Sequence, residues 1–122
     1  MTLDLTTIIL AVAVAMGTGA AVLSLRRGMP GPSVVAVTHG CVALAGYALM
    51  LVAISGSSRG AATGTQSFGV IAAVFLGLAV IAGLALLWQR RMRKRLSGGL
   101  IGVHATLAVT GFVILAAYVL LA

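Results

Sequence analysis

Four runs of about 20 apolar residues, none containing Asp, Glu, Lys or Arg, make up most of this chain: Leu5–Leu25, Val34–Ile54, Phe68–Trp88 and Leu100–Leu121. A helix that crosses roughly 30 Å of hydrocarbon needs about 20 such residues, so each run can span a bilayer. Lipid has no partner for a free backbone N–H or C=O, which leaves helices and closed barrels as spanning structures. Barrel strands alternate polar and apolar residues over about 10 positions, and these runs do not. The sequence therefore predicts an all-α membrane protein, four transmembrane helices in an up-down bundle, forming one domain over residues 1–122.

Composition agrees. Hydrophobic residues are 61% of the chain and charged ones 7%, against about 25% charged in a soluble domain. A single cysteine, Cys41, excludes an intrachain disulfide and CxxC chemistry.

Breaks between the runs are marked by residue type. Arg26-Arg27-Gly28-Met29-Pro30-Gly31-Pro32 ends the first span, Ser55 to Gln66 is a small-residue polar loop, and Arg90 to Gly99 carries five basic residues. Seven of the eight Lys and Arg residues fall in the first and third connections, and only Arg59 in the second. Short basic loops stay cytoplasmic, so both termini and the Arg59 loop are expected outside. The location expected is the bacterial inner or plasma membrane. The start of the chain lacks the positive region and cleavage site of a secretory signal, so the first span is read as retained. Topology and anionic lipid head groups account for the basic loops, and nucleic acid is not an expected partner.

The second and fourth spans align without a gap, His39 to Tyr47 against His104 to Phe112, both reading H-x3-A-x2-G-aromatic. The first and third align with one residue of slippage, Gly19 against Gly83 and Arg26-Arg27 against Arg90-Arg91. The chain thus reads as an internal duplication, repeat 1 over about residues 5–54 and repeat 2 over about 68–121. Its only two histidines coincide in that alignment. Both lie about five residues into their helices, on the order of 7–8 Å from the cytoplasmic end.

Polar residues at membrane depth are costly and point into the bundle. Four roles compete for His39 and His104. One is helix–helix hydrogen bonding, worth about 0.6–2 kcal/mol. A second is bis-histidine ligation of one haem b, with the porphyrin between helices. A third is a small metal ion, for which two nitrogens fall short of the four ligands zinc expects; Cys41 sits about 200° around the helix from His39. The fourth is a proton relay, which normally uses an intramembrane acid, and Asp4 is the only acid in the chain.

The haem reading makes the most of the neighbouring residues. Positions one and two turns beyond each histidine are small: Ala43 and Gly46 on span two, Ala108 and Gly111 on span four. They would leave a slot for a flat ring, with Tyr47 and Phe112 at its edge. Gly17, Gly19, Gly77 and Gly83 would widen it, or else serve close helix packing. Haem propionates would pair with Arg26, Arg27, Arg90 or Arg91, since burying them unpaired is expensive. The same arginines are equally explained as topology signals.

Common small transporters are disfavoured. Four-span multidrug exporters depend on a glutamate in their first span, and fluoride channels use an asparagine. This chain contains neither residue.

On four spans, His39 and His104 at equal depth, and the small residues that follow each, the chain resembles the small membrane b-type cytochromes and the haem-bearing anchor subunits of respiratory dehydrogenases. The resemblance implies an electron-transfer subunit that binds one haem b per chain through His39 and His104. It would pass electrons between a partner subunit and quinone or another carrier, within a larger membrane complex. With no nucleophile–base pair and no soluble domain, the chain alone is not read as an enzyme. The alternative is a cofactor-free structural, anchor or assembly subunit.

Overall fold

Each apolar run is a helix in the computed structural model, which describes residues 3–27, 33–58, 60–92 and 94–121. The helices are α1 (Leu3–Arg27), α2 (Ser33–Ser55), α3 (Gln66–Arg91) and α4 (Gly98–Leu121). All four are long and apolar enough to cross a membrane, as an integral membrane protein requires. They exceed the apolar runs by a few residues at most of their ends, because helices commonly extend into the head-group zone.

The exterior is the apolar surface that lipid demands. Ile8, Val34, Val52, Trp88 and Leu120 all face outward, Leu120 with 82% of its surface exposed. α1 packs against α2 and α4, and α3 against the same two, so α1 and α3 lie on one diagonal and α2 and α4 on the other.

Small residues set how closely the helices approach. A Cβ on Gly46 would stand 2.9 Å from Leu10 Cδ2, and one on Gly111 would stand 3.0 Å from the Leu76 backbone nitrogen. Glycine at those two positions lets α2 press onto α1 and α4 onto α3. The packed core gathers toward one end of the bundle, where Leu3, Leu10, Met50, Ala72, Leu76, Leu115 and Tyr118 form one cluster.

Burial repeats along the chain. The buried positions Leu3, Thr6, Leu10 and Ala13 on α1 recur at the same mutual spacing as Gly69, Ala72, Leu76 and Ala79 on α3. Gly46 and Met50 on α2 are matched in the same way by Gly111 and Leu115 on α4.

The second and third connections are closed by local hydrogen bonds. Gly60, at φ 81°, turns the chain in the left-handed region before α3, and a Cβ there would stand 2.8 Å from the Gln66 nitrogen. Ser97 caps α4, its Oγ accepting from the Leu100 N–H at 3.3 Å. Gln89 holds the same connection twice: its backbone carbonyl accepts from the Lys94 N–H at 3.0 Å and its Oε1 from the Ser97 N–H at 3.1 Å. The first basic connection, residues 28–32, and Arg59 and Arg93 lie outside the described residues.

Candidate functional site

His39 on α2 and His104 on α4 stand on diagonal helices yet reach the bundle centre together. Their ring centroids are 6.0 Å apart and their planes 87° apart. Neither ring points at lipid; both are of intermediate burial.

Each imidazole is held from behind by the preceding helix. His39 Nδ1–H donates to the Ala13 carbonyl at 2.9 Å, and His104 Nδ1–H donates to the Ala79 carbonyl at 2.8 Å. A carbonyl only accepts, so the contact fixes the proton on Nδ1 and leaves the lone pair of the neutral ring on Nε2. Neither Nε2 hydrogen-bonds to any described residue.

The rings also rest on glycines one helical turn beyond those carbonyls. A Cβ on Gly17 would lie 2.6 Å from His39 Cε1, and a Cβ on Gly83 would lie 3.0 Å from His104 Cε1. By contact, Gly17 is the counterpart of Gly83. Gly19, which the sequence alignment sets against Gly83, has nothing within 4 Å of its Cβ position. Gly17 and Gly83 thus take the same place beneath the two rings, and Gly19 does not. Gly17 to Gly83 is one residue longer than His39 to His104, whereas Gly19 to Gly83 is one residue shorter, and the buried positions follow the longer spacing.

Beside the rings lies a cavity of about 300 Å³, lined by all four helices and by both histidines. That volume is at the lower end of ligand pockets. Ala43 and Ala108 line it. Its rim reaches the outer surface at Val37, Leu44, Leu84 and Leu87, all exposed.

The other site residues named from sequence separate into two groups. Gly46 and Gly111 are taken up by helix contact, against Leu10 and Leu76, and do not line the cavity. Among the arginines, Arg90 lines it. Arg26 and Arg91 are exposed and do not; the Arg27 side chain lies outside the described set. Of the two aromatic residues, Tyr47 lines the cavity with its hydroxyl donating to the Ala73 carbonyl at 3.1 Å, seated on Gly77. Phe112 does not line the cavity, and both aromatic residues pack on the core cluster.

Cys41 is an exposed free thiol, and Met50 is fully buried in the core. No group of three or more His, Cys, Asp or Glu able to hold a metal ion exists among the described residues.

Sequence reasoning missed the Ala13 and Ala79 carbonyls, since a backbone acceptor leaves no mark in residue type.

Compared with protein-family models, curated proteins and solved structures, the chain finds no match in any of the three.

Proposed function

We propose that this chain is a four-helix membrane haem b protein, made of two copies of a two-helix unit, that carries electrons for a partner subunit or a lipid-soluble carrier such as quinone. One observation carries the reading: two imidazoles meet across the bundle with their Nδ1 protons tied to backbone carbonyls and their Nε2 lone pairs left over. Histidines that ligate metals regularly donate their other ring proton to a carbonyl or carboxylate, which fixes tautomer and ring orientation.

The separation supports the same role. The ring centroids of His39 and His104 stand 6.0 Å apart, near enough for one metal ion to be shared by a nitrogen of each. Two ligands are too few for zinc but would be enough for an iron that a porphyrin already holds.

Within this reading His39 and His104 would hold the iron, and the Ala13 and Ala79 carbonyls orient the histidines. Ala43 and Ala108 keep the cavity wall thin beside each ring. Arg90 supplies a guanidinium for a propionate. Bound haem supplies a one-electron redox centre; the helices bury it and set its potential by burial and by the hydrogen bonds to its ligands.

In the proposed topology the helices run alternately up and down, the termini and the Arg59 loop face outward, and the two basic connections face the cytoplasm of a bacterial cell. The arginine distribution supports that orientation.

The test is spectroscopic. Protein purified from haem-replete cells should show a Soret band and a sharp reduced α-band, with a pyridine haemochrome assay giving about one haem per chain. His39→Ala and His104→Ala should each abolish the low-spin spectrum. A colourless, folded preparation would overturn the proposal and leave the structural-subunit reading.

A further inference from the structure

We infer that the cavity takes one acyl chain of an anionic phospholipid, which enters from the bilayer between α2 and α3 and sets its phosphate against Arg90. The inference does not rest on the haem reading. A chain and a haem exclude each other there, so the lipid is the occupant of haem-free protein.

The cavity lies in one half of the bundle. On α3 its wall runs from Leu76 to Arg90, and on α1 from Leu10 to Ser24. Each stretch is about 21 Å long at 1.5 Å rise per residue. Leu76 stands about 15 Å from the start of α3 at Gln66, close to the middle of a hydrocarbon layer roughly 30 Å thick. The cavity therefore spans one leaflet. The other half of the bundle is filled by the core cluster that includes Leu3, Met50, Leu115 and Tyr118.

Its shape suits a chain. The acyl chains of one leaflet reach about 15 Å inward, and about 300 Å³ spread over the length of this wall makes a narrow slot. Alanine, leucine and valine form most of the lining.

The opening faces lipid. Val37, Cys41 and Leu44 recur at helical spacing on α2, and Leu84 and Leu87 on α3; all five are exposed and all line the cavity. They form the two lips of one gap. Tyr47 closes it at the mid-membrane end, its hydroxyl bonded across to the Ala73 carbonyl of α3. Lipid tails are as apolar as the leucines of the lips, so a chain crosses them without leaving an apolar solvent.

Charge selects the lipid. Arg90 stands in the last turn of α3 and on the cavity wall. Among the described lining residues it is the one Lys or Arg, and no acid joins it. Arg26, Arg91, Lys94 and Arg95 are exposed at the same end of the bundle, whereas Asp4 lies in the first turn of α1, at the other end. A guanidinium carries five N–H donors in a fork that fits a phosphate. Basic pockets between spanning helices bind anionic head groups. In the proposed topology that end meets the cytoplasmic leaflet, where anionic lipids collect.

The experiment places the full chain, expressed under haem limitation, in nanodiscs of phosphatidylglycerol or phosphatidylcholine with a diazirine near the end of one acyl chain. After illumination, mass spectrometry reads which residues are labelled. Ala13 and Ala79 are buried and line the cavity, so label there marks a chain inside. It should be about fivefold stronger from phosphatidylglycerol, the preference that one arginine near an anionic head group converts to. Arg90→Gln should lower it to the phosphatidylcholine level, and Arg91→Gln should leave it unchanged. Label confined to outer residues such as Ile8 and Val52 would overturn the inference, as would equal label from both lipids. Haem added to the same nanodiscs separates the two readings. Uptake that clears the label from Ala13 and Ala79 supports both. Uptake by a protein whose wall was never labelled overturns the lipid alone, and a labelled wall with no haem uptake overturns the haem reading alone.

Discussion

Gly17 lies directly beneath the His39 imidazole, so close that a Cβ there would stand 2.6 Å from His39 Cε1. The missing side chain leaves room for the ring within hydrogen-bond range of the Ala13 carbonyl, one turn earlier on the same helix. Gly17→Ala should displace the ring and break that hydrogen bond, at a cost of about 1–3 kcal/mol from overpacking. Gly83→Ala should do the same to His104 with a smaller effect, its clash being 3.0 Å. Gly19→Ala, with open space around it, should be neutral. Haem content per chain and the thermal midpoint of all three variants check the order.

Gly46 and Gly111 are matched in sequence but differ in what a side chain would meet. At Gly46 the obstacle is the Leu10 side chain, which can rotate; at Gly111 it includes the Leu76 backbone nitrogen at 3.0 Å. Gly111→Ala should therefore destabilise the bundle more than Gly46→Ala, by about 1–3 kcal/mol against less than that. Denaturation in mild detergent, followed by circular dichroism, measures the difference.

Tyr47→Phe removes a hydroxyl that donates to the Ala73 carbonyl at 3.1 Å. A neutral hydrogen bond contributes about 0.5–1.5 kcal/mol, and the bundle should lose an amount in that range. Histidine ligation should be unaffected, so an unchanged haem spectrum with a lowered thermal midpoint is the expected pair of results.

Arg90 lines the cavity and Arg91 does not. Arg90→Gln should weaken haem retention during dilution or dialysis, whereas Arg91→Gln should leave it unchanged. Equal loss in both variants would mean that the basic end acts through general charge, not through a propionate contact.

The proposed orientation is open to a labelling test. On a Cys41→Ser background, a cysteine placed at Ser58 should react with a membrane-impermeant maleimide on intact cells or spheroplasts. A cysteine at Ser97 should react only after the membrane is opened. The reverse pattern would invert the topology.

What the residues determined by themselves was the chain's relation to its solvent. Four charge-free runs of spanning length are a local property, and in lipid any such run must close its own backbone hydrogen bonds, so helices at Leu5–Leu25, Val34–Ile54, Phe68–Trp88 and Leu100–Leu121 could be read without knowing how they pack. The coincidence of His39 and His104 was equally plain in the alignment.

Helix rotation was not. A helix that is apolar all round marks no face for its neighbour, so sequence could not tell Gly17 from Gly19 as the seat of His39, or Gly46 as a packing contact from Gly46 as a cavity wall. Those choices depend on which side chains interlock once the four helices touch. The carbonyls of Ala13 and Ala79 became partners of the two imidazoles only through that docking, because every residue offers the same backbone acceptor and only tertiary structure decides which one a distant ring can reach.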